Sequence, residues 1–299
     1  MLFRSGSSGG GAAAVAAGLG PLSLATDGAG STPRGGAGGE RWCRCVVVVG
    51  ASGSSSSMAS SQAALSSSAD SHASRVNRSS SYQGGWFCTS APDSSQAAMI
   101  EPAAVAVYAV DRGGVTSGST VLVSGVGPIG ALTLLAVKAA GAAQIFVSEP
   151  NLYRRTLAKQ LVPDAICLDP MKDDVAAFIK EHTEEGVGVD VALECVGLEA
   201  SLNTCAASVR RQGKVVQTGL HMKPASIDAM LWALKDITLE ATWCYPVQIW
   251  PRIIRMVESG TFPIEKIVTG NIAAEDVVTK GFDALLDKSV NHMKILVTV

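Results

Sequence analysis

TVLVSGVGPIGALTLLAVKAAGAAQIFVSEP, residues 120–150, is the stretch from which the fold is read. It opens with a β-branched apolar run, Thr120-Val121-Leu122-Val123, which predicts a strand buried on both faces. Gly125-x-Gly127-x-x-Gly130 follows, with Pro128 inside it, and then a helical apolar segment over 129–140 closed by Gly141. Gln144-Ile145-Phe146-Val147-Ser148 predicts a second strand, ended by Glu149. Strand, glycine turn, helix, strand and acid together are the context in which such a glycine pattern holds a dinucleotide. Gly125 permits the tight turn off the strand, Gly127 lets backbone approach a pyrophosphate, and Gly130 lets the helix pack hard on the strand. The helix start offers N–H groups and partial positive charge to phosphates. Glu149 stands nineteen residues after Gly130, where a carboxylate accepts from ribose hydroxyls and repels a 2′-phosphate. That favours NAD over NADP. Arg154 and Arg155 lie just beyond, either touching a phosphate or adenine edge or forming a solvated helix face.

Working outward, strands and helices alternate about every 25 residues. Further strands are predicted at 165–169, 189–197, 213–219 and 237–243, and helices at 152–161, 172–183, 198–210 and 249–258. This is the pattern of an α/β, doubly wound parallel (Rossmann) sheet. Its ligand site lies outside the carboxyl ends of the strands, near Gly125, Glu149, Gly197 and Gly219. A helix is predicted at 98–112, with Pro102 in its first turn. The tail, with 264–269, a helix at 274–286 and a strand at 293–297, reads as an addition beside the sheet.

The chain has 299 residues and a formal net charge of −2, so it carries no basic footprint for nucleic acid. No apolar run reaches the roughly 18–20 residues that span a bilayer. Seven cysteines show no framework spacing, and the four in the α/β half (Cys167, Cys195, Cys205 and Cys244) read as buried reduced thiols. The expected compartment is the cytoplasm. An N-terminal Arg4 among Ser, Gly and Ala residues leaves organelle import as the alternative.

The two halves differ sharply. Serine takes 18 of positions 51–100, no lysine precedes Lys138, and the acids before residue 95 are Asp27, Glu40, Asp70 and Asp93. Such a segment buries too little apolar surface to offset its ordering entropy, so 1–95 is expected to be a mostly disordered leader. An apolar island at 42–50 is its one candidate strand. The predicted organisation is thus a leader (1–95), a linking helix (96–117), a nucleotide-binding domain (118–262) and a C-terminal segment (263–299).

From residue 97 onward the chain resembles the medium-chain, zinc-type alcohol dehydrogenases, in the branch of butanediol, threonine and sorbitol dehydrogenases. The resemblance is carried by Ile100-Glu101-Pro102, the 120–130 glycine stretch, Val147-Ser148-Glu149-Pro150 with Arg154-Arg155, Asp190-Val191-Ala192-Leu193-Glu194-Cys195-Val196-Gly197, Cys244-Tyr245 and His292-Met293-Lys294-Ile295-Leu296-Val297. It implies hydride transfer between a secondary alcohol or vicinal diol and NAD, with zinc as Lewis acid. The implied cofactor contacts are Gly125, Gly127, Pro128, Ile129, Gly130, Glu149, Arg154 and Val196. In that family the zinc is held by a Cys-Gly-x-Cys segment and a Gly-His-Glu triplet, neither of which occurs here. Glu101 matches the one remaining family metal-site residue, and alone it holds no zinc. His182, His221 and His292 fall outside the family's metal positions. Three readings result: a diol dehydrogenase, an NAD-binding or oligomer-partner module derived from one, or an incomplete product. Full-length relatives are the expected partners, with 264–269 as the candidate seam. The lost domain is expected to leave apolar surface bare on the 97–115 helix and the C-terminal segment.

Overall fold

A computed structural model describes residues 94–287 and 291–298, together with the backbone of 23–26 and 45–50. Strands β1 (Ser23–Thr26) and β2 (Cys45–Gly50) precede helix α1 (Ser94–Gly113). Then follow β3 (Thr120–Ser124), α2 (Pro128–Ala139), β4 (Gln144–Ser148), α3 (Leu152–Leu161), β5 (Ile166–Leu168), α4 (Val175–Glu181) and β6 (Val189–Glu194). Next come α5 (Glu199–Ser208), β7 (Val209–Gln217), α6 (Ala229–Lys235), β8 (Thr238–Ala241) and α7 (Trp250–Glu258). The chain ends with β9 (Val268–Ala273), α8 (Asp283–Leu286) and β10 (Lys294–Thr298). Most of the 1–95 leader, including His72, lies outside the described residues. Within it, β2 falls in the apolar island read as a strand.

Six strands form one parallel sheet in the order β5-β4-β3-β6-β7-β8. Alternation of side chains across the pleat explains how the continuous apolar runs are used. Val121, Val123, Ile145, Val147, Leu193 and Val216 face a core shared with α1, α2, α3 and α7. Leu122, Phe146, Ala192 and Val215 face a second core under α4 and α5. Both faces are therefore covered, and each fully buried Val, Leu or Phe contributes about 1.5–3 kcal/mol. The sheet changes direction at β3, because β4 and β5 extend to one side and β6 starts again on the other. That is the doubly wound arrangement expected from the sequence.

A second sheet has the order β1-β2-β10-β9, with β10 antiparallel to β2 and parallel to β9. Lys294 of β10 is fully buried, and its Nζ has no hydrogen-bond partner among the described residues. Loss of hydration pulls this ammonium down to about 8, and the Glu101 carboxylate only partly opposes it.

Several expectations are corrected. Helix α1 begins at Ser94, so Pro102 lies in its interior rather than its first turn. The helix is not bare: Ala98, Met99, Ala103, Ala104 and Ala106 are fully buried. Nor does 264–269 offer an apolar seam, because Ile264 and Ile267 are fully buried in the chain's own core. The exposed apolar side chains cluster instead at 222–247, where Met222, Met230, Leu234, Trp243 and Val247 stand out to solvent. Cys244 is exposed rather than buried. The segment after α5 also differs, since β7 begins at Val209, where a helix extending to Arg210 was predicted. Val209 pairs with Val189, the chain bulges over 210–213, and Lys214 rejoins opposite Val191.

Candidate functional site at the carboxyl ends of the sheet

The turn after β3 is built as its glycines suggest. Gly125 has φ +89°, and its N–H donates to Ser148 O at 2.7 Å. A Cβ there would sit 2.5 Å from Val196 Cγ2, so Val196 lies directly over the turn. A Cβ on Gly130 would meet Gly125 O at 1.9 Å, which is the tight packing of helix on strand. Gly127 is different in kind. Its φ of −74° is ordinary, and a Cβ built on it would touch nothing within 4 Å. Gly127 is the N-cap of α2, no side chain caps that end, and Pro128 occupies the first helical position. The space beside Gly127, at the uncapped start of α2, is therefore open.

Glu149 is buried, and both of its oxygens are engaged. Oε2 accepts from Val126 N at 2.7 Å, inside the glycine turn, and Oε1 accepts from Asn151 N at 2.9 Å. The acid thus braces the turn as well as standing at the end of β4, and each oxygen keeps a further lone pair for a ligand hydroxyl. The two arginines separate. Arg155 turns inward, donating to Glu149 O at 2.6 Å and Pro150 O at 2.7 Å and pairing with Asp169 at 3.1 Å. It braces the β4–α3 turn, with little of its side chain left to solvent. Arg154 remains partly exposed on α3, its N–H donating to the Asn151 cap at 3.1 Å.

Beyond the turn, Val196 is 39% exposed and Gly197 has φ +81°. What fixes them is Glu194, a residue the sequence reading quoted and assigned no task. Its side chain is fully buried at the end of β6, in register between Ser124 and Gln217. Its Oε1 accepts from both Val196 N and Gly197 N at 2.9 Å, and His221 Nε2 lies 3.3 Å from Oε2. The signal was available, because a carboxylate closing an apolar strand is too costly to bury unless it is hydrogen-bonded.

Glu101 lies on α1, away from this cleft in sequence and beside the second sheet's Lys294 in space. It accepts from Tyr245 Oη at 3.1 Å, and burial, with that carboxylate added, pushes the Tyr245 hydroxyl far above its usual range. Among the described residues no group of three or more His, Cys, Asp or Glu side chains is placed to hold a metal, and a neutral hydroxyl donor occupies the Glu101 carboxylate. His182 stacks on Phe178 at 3.8 Å, His292 lies by Thr269 at 3.4 Å, and of the three described histidines His221 alone stands near the cleft, beside Glu194. A depression of about 410 Å³ lined by Gly114, Ser119, Asp190, Arg210 and Lys214 opens at the other, amino-terminal end of the strands. Its cations are already paired, Arg210 with Asp190 at 2.7 Å and Lys214 with Arg112 O at 3.1 Å.

Residues 128–259, from the first residue of α2 to the residue that caps α7, match the family model described as zinc-binding dehydrogenase. The match spans the sheet from its glycine turn onward and covers less than half of the chain. An (R,R)-butanediol dehydrogenase of Bacillus subtilis (strain 168) is 38% identical over 203 residues, covering 68% of this chain and 57% of the relative. An L-arabinitol 4-dehydrogenase of Aspergillus oryzae is 34% identical over 209 residues, covering 66% of this chain and 54% of the relative. The crystal structure of 2R,3R-butanediol dehydrogenase from Bacillus subtilis superimposes with a TM-score of 0.65 at 37% identity, covering 70% of this chain and 60% of that one. The chain thus spans little more than half the length of the curated dehydrogenases it matches. The sheet described above is similar to the Rossmann-like part of zinc-type, medium-chain dehydrogenases.

Proposed function

We propose that residues 94–299 bind NAD across the carboxyl ends of β3, β4 and β6, as the cofactor half of a dehydrogenase acting on secondary alcohols or vicinal diols. The observation that carries this is the open space before Gly127 at the uncapped start of α2, with the buried Glu149 carboxylate beside it. When bound, the dinucleotide supplies a hydride acceptor and donor. The chain's own residues do the rest. Gly127 admits the pyrophosphate to van der Waals distance, and the N–H groups of Ile129 and Gly130 point at its charge. Pro128 has no N–H to lose there and presets the helix. Glu149 offers lone pairs to the adenosine ribose hydroxyls and meets a 2′-phosphate with like charge, which selects NAD. Arg154 lies on the rim where the adenosine end would emerge, and Val196 supplies an apolar surface beyond the pyrophosphate.

The diol or polyol substrate class is taken from the likeness to butanediol and arabinitol dehydrogenases. Zinc chemistry would require ligands outside the described residues, with Glu101 as the remnant of the family's metal site. The same observations accommodate an NAD-binding module without catalysis, paired with a full-length relative. Elemental analysis separates the two readings: stoichiometric zinc favours the dehydrogenase, and its absence from native protein favours the module.

The cofactor assignment is tested by titrating the full chain with NAD and NADP, alongside Glu149→Ala. The expected result is NAD preference in the wild type and its loss in the variant, with NAD binding at least tenfold weaker. Unchanged affinity and preference would sink the assignment of Glu149.

A further inference from the structure

We infer that Glu194 is a positioning residue that locks the loops after β6 and β7 into one platform, and that this platform orients the nicotinamide half of the dinucleotide. The inference rests on the NAD reading above and adds a task to a residue that would touch no cofactor itself. Two independent parts of Glu194 act on two loops. Its carboxylate accepts from Val196 N and Gly197 N, each at 2.9 Å. Its main-chain oxygen accepts from Thr218 N and Gly219 N, also at 2.9 Å. Four backbone donors, two per loop, therefore converge on one residue with a fully buried side chain.

The loops are also pressed together. A Cβ on Gly197 would meet Leu220 O at 2.3 Å, and a Cβ on Gly219 would meet Gly197 N at 2.2 Å and Glu194 Oε2 at 2.7 Å. Backbone packs on backbone with the carboxylate as the peg between. The platform begins where the glycine turn ends, since Val196 Cγ2 lies against Gly125. A ligand whose pyrophosphate sits at Gly127 must send one half toward Glu149 and the other over Val196. The first half meets a carboxylate for ribose hydroxyls. The second meets an apolar side chain and the main chain of 196–197 and 218–220, which suits a flat, amide-bearing ring. Because Glu194 holds that main chain, its geometry sets the pose of the second half and leaves the first alone.

The test compares NADH with ADP-ribose, which lacks the nicotinamide, on the full chain and two conservative variants. Glu194→Asp withdraws the carboxylate by roughly one bond length, about 1.5 Å, and breaks the bonds to Val196 and Gly197. Glu194→Gln keeps an acceptor oxygen in place. The expected result for Glu194→Asp is at least tenfold weaker NADH binding, loss of the enhanced nicotinamide fluorescence and ADP-ribose affinity within twofold of wild type. Glu194→Gln should restore both NADH readouts. NADH and ADP-ribose weakening together in Glu194→Asp would make the residue merely structural and overturn the inference, as would unchanged NADH binding. A folded Glu194→Gln as weak as Glu194→Asp would overturn the acceptor geometry. A wild-type chain that binds neither ligand would instead overturn the NAD reading itself, and the clamp with it.

Discussion

Replacing Gly127 by alanine separates two things glycine can do, because this position needs neither unusual backbone nor close packing. Its φ and ψ of −74° and −175° suit alanine, and the added methyl would meet no atom within 4 Å. Restricting the unfolded chain stabilises by about 0.4–1 kcal/mol, and losing glycine at a helix N-cap costs a similar few tenths to about 1 kcal/mol. The two offset, so Tm should move by no more than about 4 °C for a domain of this size. Binding should behave differently. On the proposed NAD reading the methyl would stand where the pyrophosphate approaches the first turn of α2, and a charged hydrogen bond lost there is worth about 1.5–3 kcal/mol. That is roughly a 10- to 100-fold loss of affinity. Thermal unfolding and calorimetric titration of the full chain with NADH measure both quantities. A variant that loses more than about 2 kcal/mol of stability yet binds NADH as before would refute the reasoning, because the space would then be filled by protein and not by ligand.

Gly130→Ala should do the reverse, since its Cβ would lie 1.9 Å from the carbonyl oxygen of Gly125. Helix and strand must part, at a cost of about 3 kcal/mol read from the urea midpoint with an unchanged slope. Lys294→Met should raise stability at pH 7. The ammonium's folded value of about 8 lies below its ordinary value of 10.5, so the unfolded chain takes up the proton first as pH falls. The resulting penalty grows between those two values and stays constant below the lower one. At about 1.4 kcal/mol per unit it reaches roughly 3 kcal/mol. Urea unfolding of both proteins at pH 7 and near pH 10.5 checks this, and an equal gap at both would show that the ammonium is not the cause.

The sheet was legible because its information is local. The apolar run at 120–123, the glycines that follow and the acid at 149 each restrict the backbone within a few residues, and α3 runs from Leu152 to Leu161 as its periodicity predicts. Helix α6 escaped because its seven residues, AMLWALK, are apolar nearly throughout and show no alternation of faces, although Asp228 caps it through the N–H groups of Met230 and Leu231. The start of β7 was misplaced because Gly213 reads as a strand boundary, whereas it lies in a bulge where a Cβ would sit 2.9 Å from Arg210 O. In the site, the glycines could be read from spacing alone. The tasks of Arg155 and Glu194 could not. Each depends on partners brought close by the fold, Asp169 for the one and the 218–221 loop for the other.

The change of direction at β3 has a consequence for the order in which the molecule can assemble. Val121 pairs with Ile145 on one side and with Val191 on the other, across 24 and 70 residues respectively. Closing the longer loop first would cost about 1 kcal/mol more in chain entropy. Strands β3 to β5 can therefore zip up as their helices form, and the β3–β6 seam is the later event. The crevice over that seam does not exist until the second half of the sheet has docked, so a chain interrupted before Val189 would carry every glycine of the turn and still offer only half a binding cleft.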